Sequence, residues 1–93
     1  MGEVLQFKKP EPLWREALGK TLRETREERG DRLVDVASRA GISPQYLSEI
    51  ERGRKEPSSE MIAAITGALG RTLGSTLTEV SRQLAGTVVM MAA

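Results

Sequence analysis

Apolar residues recur along the chain at helical spacing, in five stretches punctuated by glycine, serine and proline. In the first, Trp14, Leu18 and Leu22 fall four apart and form one stripe. Glu24, Glu27 and Glu28 alternate there with Arg23, Arg26 and Arg29, the pattern of a solvated, ion-paired surface, and Gly30 ends the stretch. Val36, Ala37 and Ala40 give the second a narrow apolar face, stopped by Gly41, a residue able to take the left-handed conformation. Ile42 plugs the corner that follows. Ser43 is a good N-cap and Pro44 suits the first helical position, where its missing N–H costs nothing. Leu47 and Ile50 form the inner side of this third stretch, and Gly53 stops it. Ser58 caps a fourth, with Ile62, Ile65 and Leu69 inside and Gly70 as its end. Thr72 caps a fifth, where Leu73, Leu77, Val80 and Leu84 are spaced four, three, four. The pattern predicts an all-α, five-helix domain over 13–85, with helices at about 13–29, 33–40, 44–52, 59–69 and 73–85. An irregular arm (1–12) precedes it and an apolar tail (86–93) follows it.

Two short helices joined by a three-residue corner make a helix-turn-helix, the unit that lays its second helix in the major groove of DNA. The outward face of that second helix carries Gln45, Ser48, Glu49 and Arg52 at spacings of three and four. It mixes donors and acceptors at the N-terminal end instead of repeating the Glu and Lys of an ordinary solvated face. The same spacing also suits the outer face of a core helix. The corner residues Ala37, Gly41, Ile42 and Ser43 tip the balance toward the motif.

These residues resemble a known family. Val36-Ala37, Ala40-Gly41-Ile42-Ser43, Tyr46-Leu47-Ser48-Glu49-Ile50-Glu51-Arg52-Gly53 and Pro57-Ser58 are similar to the phage-repressor-type (Cro/repressor, XRE) helix-turn-helix, over roughly Leu18 to Leu77. More narrowly, ISPQYLSEIERGRKEPSSEM resembles actinobacterial regulators of Clp protease genes. The resemblance implies a repressor-like DNA-binding domain that activates protease and stress-response genes, with RNA polymerase as a further partner. It also implies a structural ion pair between Arg26 and the inward-lying Glu51, and a phosphate near the N-terminus of the fourth helix. Many family members have a small capping residue and then a phosphate-contacting Gln where this chain has Arg32 and Leu33. Asp31 is expected to take over as cap and Leu33 to pack, which puts one backbone contact in doubt.

Composition narrows the function classes. Ninety-three residues suffice for one small core, which must be aliphatic because Phe7, Trp14 and Tyr46 are the only aromatics. Without cysteine or histidine, disulfides, thiolate metal sites and the commonest general base are excluded, and no cofactor or metal is expected. Gly19-Lys20-Thr21 imitates the end of a phosphate-binding loop, but Trp14 stands where its first glycine belongs. Carboxylate pairs such as Glu27–Glu28 lie on a solvated face. No enzyme is expected. No apolar run is long enough to span a membrane, so a cytoplasmic protein is expected. The net charge of +1 is low for a DNA-binding domain, so placement must matter: Arg52, Arg54 and Lys55 crowd beyond the recognition helix.

For reading DNA, Pro44, Gln45, Ser48 and Glu49 are the base-facing candidates. Gln45 is the only long amide of the motif and the chain has no Asn, so a bidentate contact to adenine falls to it alone. Glu49 can accept from a cytosine amino group or reject wrong sequences. Ser43, Tyr46, Arg52, Arg54, Lys55 and Ser58 are the backbone-facing candidates. One helix specifies only a few base pairs, so a homodimer on an inverted repeat of double-stranded DNA is expected, with Leu77, Val80 and Leu84 as its candidate seam. The same leucines also serve a small core. Lys8 and Lys9 of the arm are candidates for phosphate, or part of a solvated tail. The resemblance also suggests that Ala92 and Ala93 belong to a degradation signal read by Clp protease, docking on a partner subunit being the alternative. A different class of function, a protein-interaction module or an antitoxin-like repressor using the same face, would give weak, sequence-blind DNA binding.

Overall fold

The computed structural model describes residues 13–92 and the side chains of 13–85. Five helices follow one another: α1 (Trp14–Arg29), α2 (Leu33–Ala40), α3 (Pro44–Glu51), α4 (Ser59–Ala68) and α5 (Leu73–Ala92). No strand occurs among the described residues. α1 is the spine, packed on α5 along one side and on α3 along another, while α2 lies against α3 and α4.

Local chemistry sets the helix ends. At the start of α1 the Glu16 carboxylate accepts from the Leu13 N–H at 3.0 Å, which satisfies an otherwise orphaned donor. Gly41 ends α2 at φ +76°, and the Ile42 N–H donates to the Ala37 carbonyl at 3.0 Å, which turns the chain sharply into the corner. The Ser43 and Ser58 hydroxyls accept from the Tyr46 and Met61 N–H groups at 3.0 and 3.1 Å, capping α3 and α4. Thr72 accepts from the Ser75 N–H at 3.0 Å at the start of α5.

The core is aliphatic: Leu18, Leu22, Val36, Leu47, Ile50, Ile65, Leu69 and Val80 are sealed from solvent, and Trp14, Leu33, Ile42, Tyr46 and Leu73 pack around them. At about 1.5–3 kcal/mol for each fully buried aliphatic side chain, these residues dominate the favourable side of folding. Polar groups within the core are satisfied. The Gln83 amide of α5 donates to the Thr21 hydroxyl of α1 at 2.8 Å, and Thr66 donates to the Ala63 carbonyl at 3.0 Å.

Three expectations are corrected. Asp31 does not cap α2. The N-cap is Arg32, whose side chain leaves the first helix amides uncapped, and the Asp31 carboxylate pairs instead with Arg29 and Arg39, at 2.8 and 3.1 Å. The fifth helix does not stop near residue 85 but continues to Ala92. A lone glycine such as Gly86 costs a helix only about 1 kcal/mol, and no proline follows to break it. Val80 is unavailable to a dimer seam, being completely buried inside its own subunit. The arm with Lys8 and Lys9, Ala93, and the side chain of Ala92 lie outside the described residues.

Candidate nucleic-acid interface

The corner between α2 and α3 fixes how α3 is presented. Leu47 and Ile50 are sealed in the core, so the rest of this two-turn helix must face outward. Pro44 and Gln45 are exposed at its N-terminal end, and Ser48 and Glu49 are half-buried along its flank. Tyr46 leans on the core and presents only part of its ring. Arg52, Arg54 and Lys55 are exposed just past the C-terminus of α3. Ser43 and Ser58 are exposed too, but their oxygens already accept from their own helices, leaving each hydroxyl hydrogen free to donate. All ten base- and backbone-facing candidates thus fall on α3, its two ends or the N-cap of α4.

α1 holds the C-terminal end of α3 at three points. The Arg26 guanidinium grips the Glu51 carboxylate with two bonds, Nε to Oε2 at 2.8 Å and Nη2 to Oε1 at 2.9 Å. Its remaining nitrogen donates to the Asp31 carbonyl at 3.2 Å, tying in the entry to α2. The bond to Glu51 raises the Arg26 pKa above its ordinary value, against the opposing pull of burial. Gly19 lies directly beneath the Ile50 and Glu51 carbonyls, where any side chain would collide. Arg15 donates from Nε to the Gly53 carbonyl at 2.9 Å, bracing the turn that leads to Arg54 and Lys55. In the sequence Arg15 did not stand out, and Gly19 did so only as part of a false phosphate-loop match. A glycine in the middle of a strongly helical run is itself a sign of close approach, and that sign was present at Gly19.

Between α1, the start of α2 and the flank of α3 lies a polar cleft of about 300 Å3, lined by Arg23, Arg26, Leu33, Ser48, Glu51 and Arg52, with Glu27 at its edge. A second groove of about 490 Å3, more apolar, runs past Trp14, Pro57, Ile62, Leu73 and Leu77. Leu84 packs against the core and stays half-exposed, like Leu77. Among the described residues no helix is long and apolar enough to cross a membrane, and no cluster of acidic groups could hold a metal ion.

A bihelical corner that buries one face of α3 and leaves the other open defines a helix-turn-helix protein. The Helix-turn-helix family model matches residues 22–75, and the chain belongs to this family, in its XRE-type branch of DNA-binding transcription regulators, which is not an enzyme class. The transcriptional regulator ClgR of Mycobacterium tuberculosis is 47% identical over 73 residues, which cover 78% of this chain. The chain spans only 65% of the length of that relative. The crystal structure of the clp gene regulator ClgR from Corynebacterium glutamicum matches with a TM-score of 0.81 and 46% identity, over 87% of this chain and 86% of the other. The restriction-modification controller protein C.Esp1396I shares the fold, with a TM-score of 0.74 at 16% identity over 82% of this chain and 96% of that one.

Proposed function

We propose that this chain regulates transcription by laying α3 in the major groove of an operator, as a homodimer on an inverted repeat. Its targets are Clp protease and stress-response genes, which it activates in contact with RNA polymerase. The observation that carries this reading is the open face of α3, with Gln45 exposed at its N-terminal end and Arg52, Arg54 and Lys55 beyond its C-terminal end. The likeness to proteins named clp gene regulators supports the choice of target genes. Gln45 reads adenine, Ser48 and Glu49 read or reject neighbouring bases, and the arginines, Lys55, Ser43, Tyr46 and Ser58 set the register on phosphate. A bidentate contact discriminates by about 1–3 kcal/mol, so two half-sites are needed for useful specificity. Leu77 and Leu84, half-buried on α5, are the residues through which two copies meet.

The test is binding to a promoter fragment of a Clp protease operon against an unrelated duplex, across a salt series, for the wild type, Gln45→Ala and Arg54→Ala. Preference for the promoter should be lost in Gln45→Ala, whereas Arg54→Ala should weaken both duplexes alike. Equal, steeply salt-dependent binding of both by the wild type would remove the proposed target. No binding at low salt would remove the DNA reading.

A further inference from the structure

The cleft between α1, α2 and α3 holds more positive charge than its own carboxylates can use. Three arginines face two glutamates there. Arg26 is committed, with two bonds to Glu51 and a third to the Asp31 carbonyl. Arg23 pairs with Glu27 at 3.1 Å, but both side chains are more than half exposed (61% and 53%), and such a surface pair is easily exchanged for another partner. The Arg52 guanidinium has no partner among the described residues. Leu33 brings only apolar surface to the cleft, and the first amides of α2 carry no side-chain cap.

The position of the cleft decides what would fill it. Ser48 on α3 and Arg52, the residue that caps its C-terminal end, lie about one turn apart and line the wall of the cleft. Anything lying along that flank of α3 therefore passes over the mouth of the cleft. We infer that the cleft is a seat for a backbone phosphodiester of duplex DNA, gripped by Arg23 from α1 and by Arg52 from the end of α3. The inference rests on the proposed docking of α3 and adds a contact from α1, a helix otherwise engaged in holding α3 in place. An arginine fork suits two oxygens of one phosphate, and the pairing places an anchor beside the start of α2 and the C-terminal half of α3. Arg26 is already held by Glu51 and the Asp31 carbonyl through each of its three nitrogens, so its two remaining N–H groups only supplement the grip. Glu27 works against the phosphate: it competes for Arg23 and repels the incoming charge.

The experiment measures the slope of log Kobs against log salt for the full chain on a bound promoter duplex and on an unrelated one. Variants are Arg23→Gln, Arg52→Gln, Glu27→Gln and, as a control in a different groove, Arg71→Gln, each checked for an unchanged thermal melt. Arg23→Gln and Arg52→Gln should each flatten the slope by about one unit on both duplexes, the loss of one neutralised phosphate. Preference for the promoter should stay intact. Glu27→Gln should bind both duplexes several-fold more tightly, a gain that a merely structural role does not produce. A single methylphosphonate walked along each strand should locate one position that weakens the wild type and leaves an Arg23→Gln, Arg52→Gln double variant unaffected. Promoter binding that keeps its slope in Arg23→Gln overturns the inference while leaving the docking of α3 in place. Wild-type protein that binds neither duplex overturns both. Saturation of the cleft by inorganic phosphate at sub-millimolar concentration, followed by chemical shifts of the Arg side chains, would assign it to a free phosphorylated ligand and overturn the duplex assignment.

Discussion

Arg26 of α1 and Glu51 at the last position of α3 form a two-pronged ion pair, 2.8 and 2.9 Å long, with side chains only 16% and 7% exposed. The pair ties the end of the recognition helix to the spine of the domain. Removing one partner strands the other charge in a mostly dry site. Glu51→Leu and Arg26→Met should each destabilise the fold by about 2–3 kcal/mol, less than a fully buried pair because Arg26 reaches water at one edge. The double variant Arg26→Met with Glu51→Leu should recover most of that loss, since an apolar pair of similar volume carries no desolvation penalty. Urea unfolding of all three at neutral pH measures the coupling directly. Equal loss in the double and the summed singles would show that the two side chains do not interact.

Gly19 is the position where α1 comes closest to α3. A Cβ there would lie 2.7 Å from the Glu51 carbonyl oxygen and nearer still to that of Ile50, both rigid backbone atoms. Alanine gains about 1 kcal/mol of helix propensity over glycine at an exposed site. At Gly19 the collision outweighs that gain, and Gly19→Ala should lose about 2 kcal/mol net and weaken DNA binding by tilting α3. Gly67→Ala is the contrasting case, with nothing within 4 Å of the added carbon, and it should be neutral or stabilising. Thermal melts of the two variants read opposite signs.

The acid limb of stability should depend on Asp31 and Asp35. Asp31 is held below the usual carboxylate range by its hydrogen bond from Arg29, helped by Arg39, and Asp35 by its hydrogen bond from Arg32. A folded-state pKa below the unfolded one, about 3.9 for Asp, favours the folded state at every pH above that value. The contribution disappears as pH falls through the depressed folded values. Asp31→Asn should therefore be less stable than the wild type at pH 7, and the gap should close below about pH 4. Melting temperatures between pH 7 and pH 2.5 give the two curves. Parallel curves would mean that Asp31 is no better paired in the folded chain than in the unfolded one.

What could be read from the sequence was whatever short-range chemistry decides. Ser43, Pro44 and Gly41 carry their roles in the residue type itself, because capping and positive φ depend on neighbours within a turn. Other features depend on competition among neighbours or on partners far along the chain, and there the sequence was silent or misleading. Asp31 looks like a cap, but its carboxylate is held by Arg29, two residues before it, and by Arg39, at the far end of α2, a choice between near neighbours that residue type alone does not settle. Arg39 in turn reaches across to the Ala68 carbonyl at 2.9 Å, a link between α2 and the end of α4 with no local signature. Arg23 reads as one more charge on a solvated face until α3 brings Ser48 and Arg52 alongside it. The contact of Gln83 with Thr21, 62 residues apart, is of the same kind.

In the four-three-four spacing of Leu73, Leu77, Val80 and Leu84 the last three suggested a seam, and the fold divides them. Val80 is sealed among the core residues, Leu73 and Leu84 lean on them, and Leu77 lines the apolar groove with Trp14, Pro57 and Ile62. Substitutions should separate the two roles. Val80→Ala removes two methyl groups from a packed interior and should cost about 2 kcal/mol of monomer stability, leaving association unchanged at concentrations where the variant is folded. Leu77→Ser removes surface that a single copy only half covers. It should alter the melt of dilute protein by less than about 1 kcal/mol, within the range of surface substitutions that create no cavity. In a dimer joined through α5, the same change shifts the monomer–dimer equilibrium toward monomer, by about tenfold for every 1.4 kcal/mol of lost contact. Sedimentation velocity over a concentration series, with and without operator duplex, distinguishes the cases. Leu77→Ser that dimerises as tightly as the wild type would move the seam off α5.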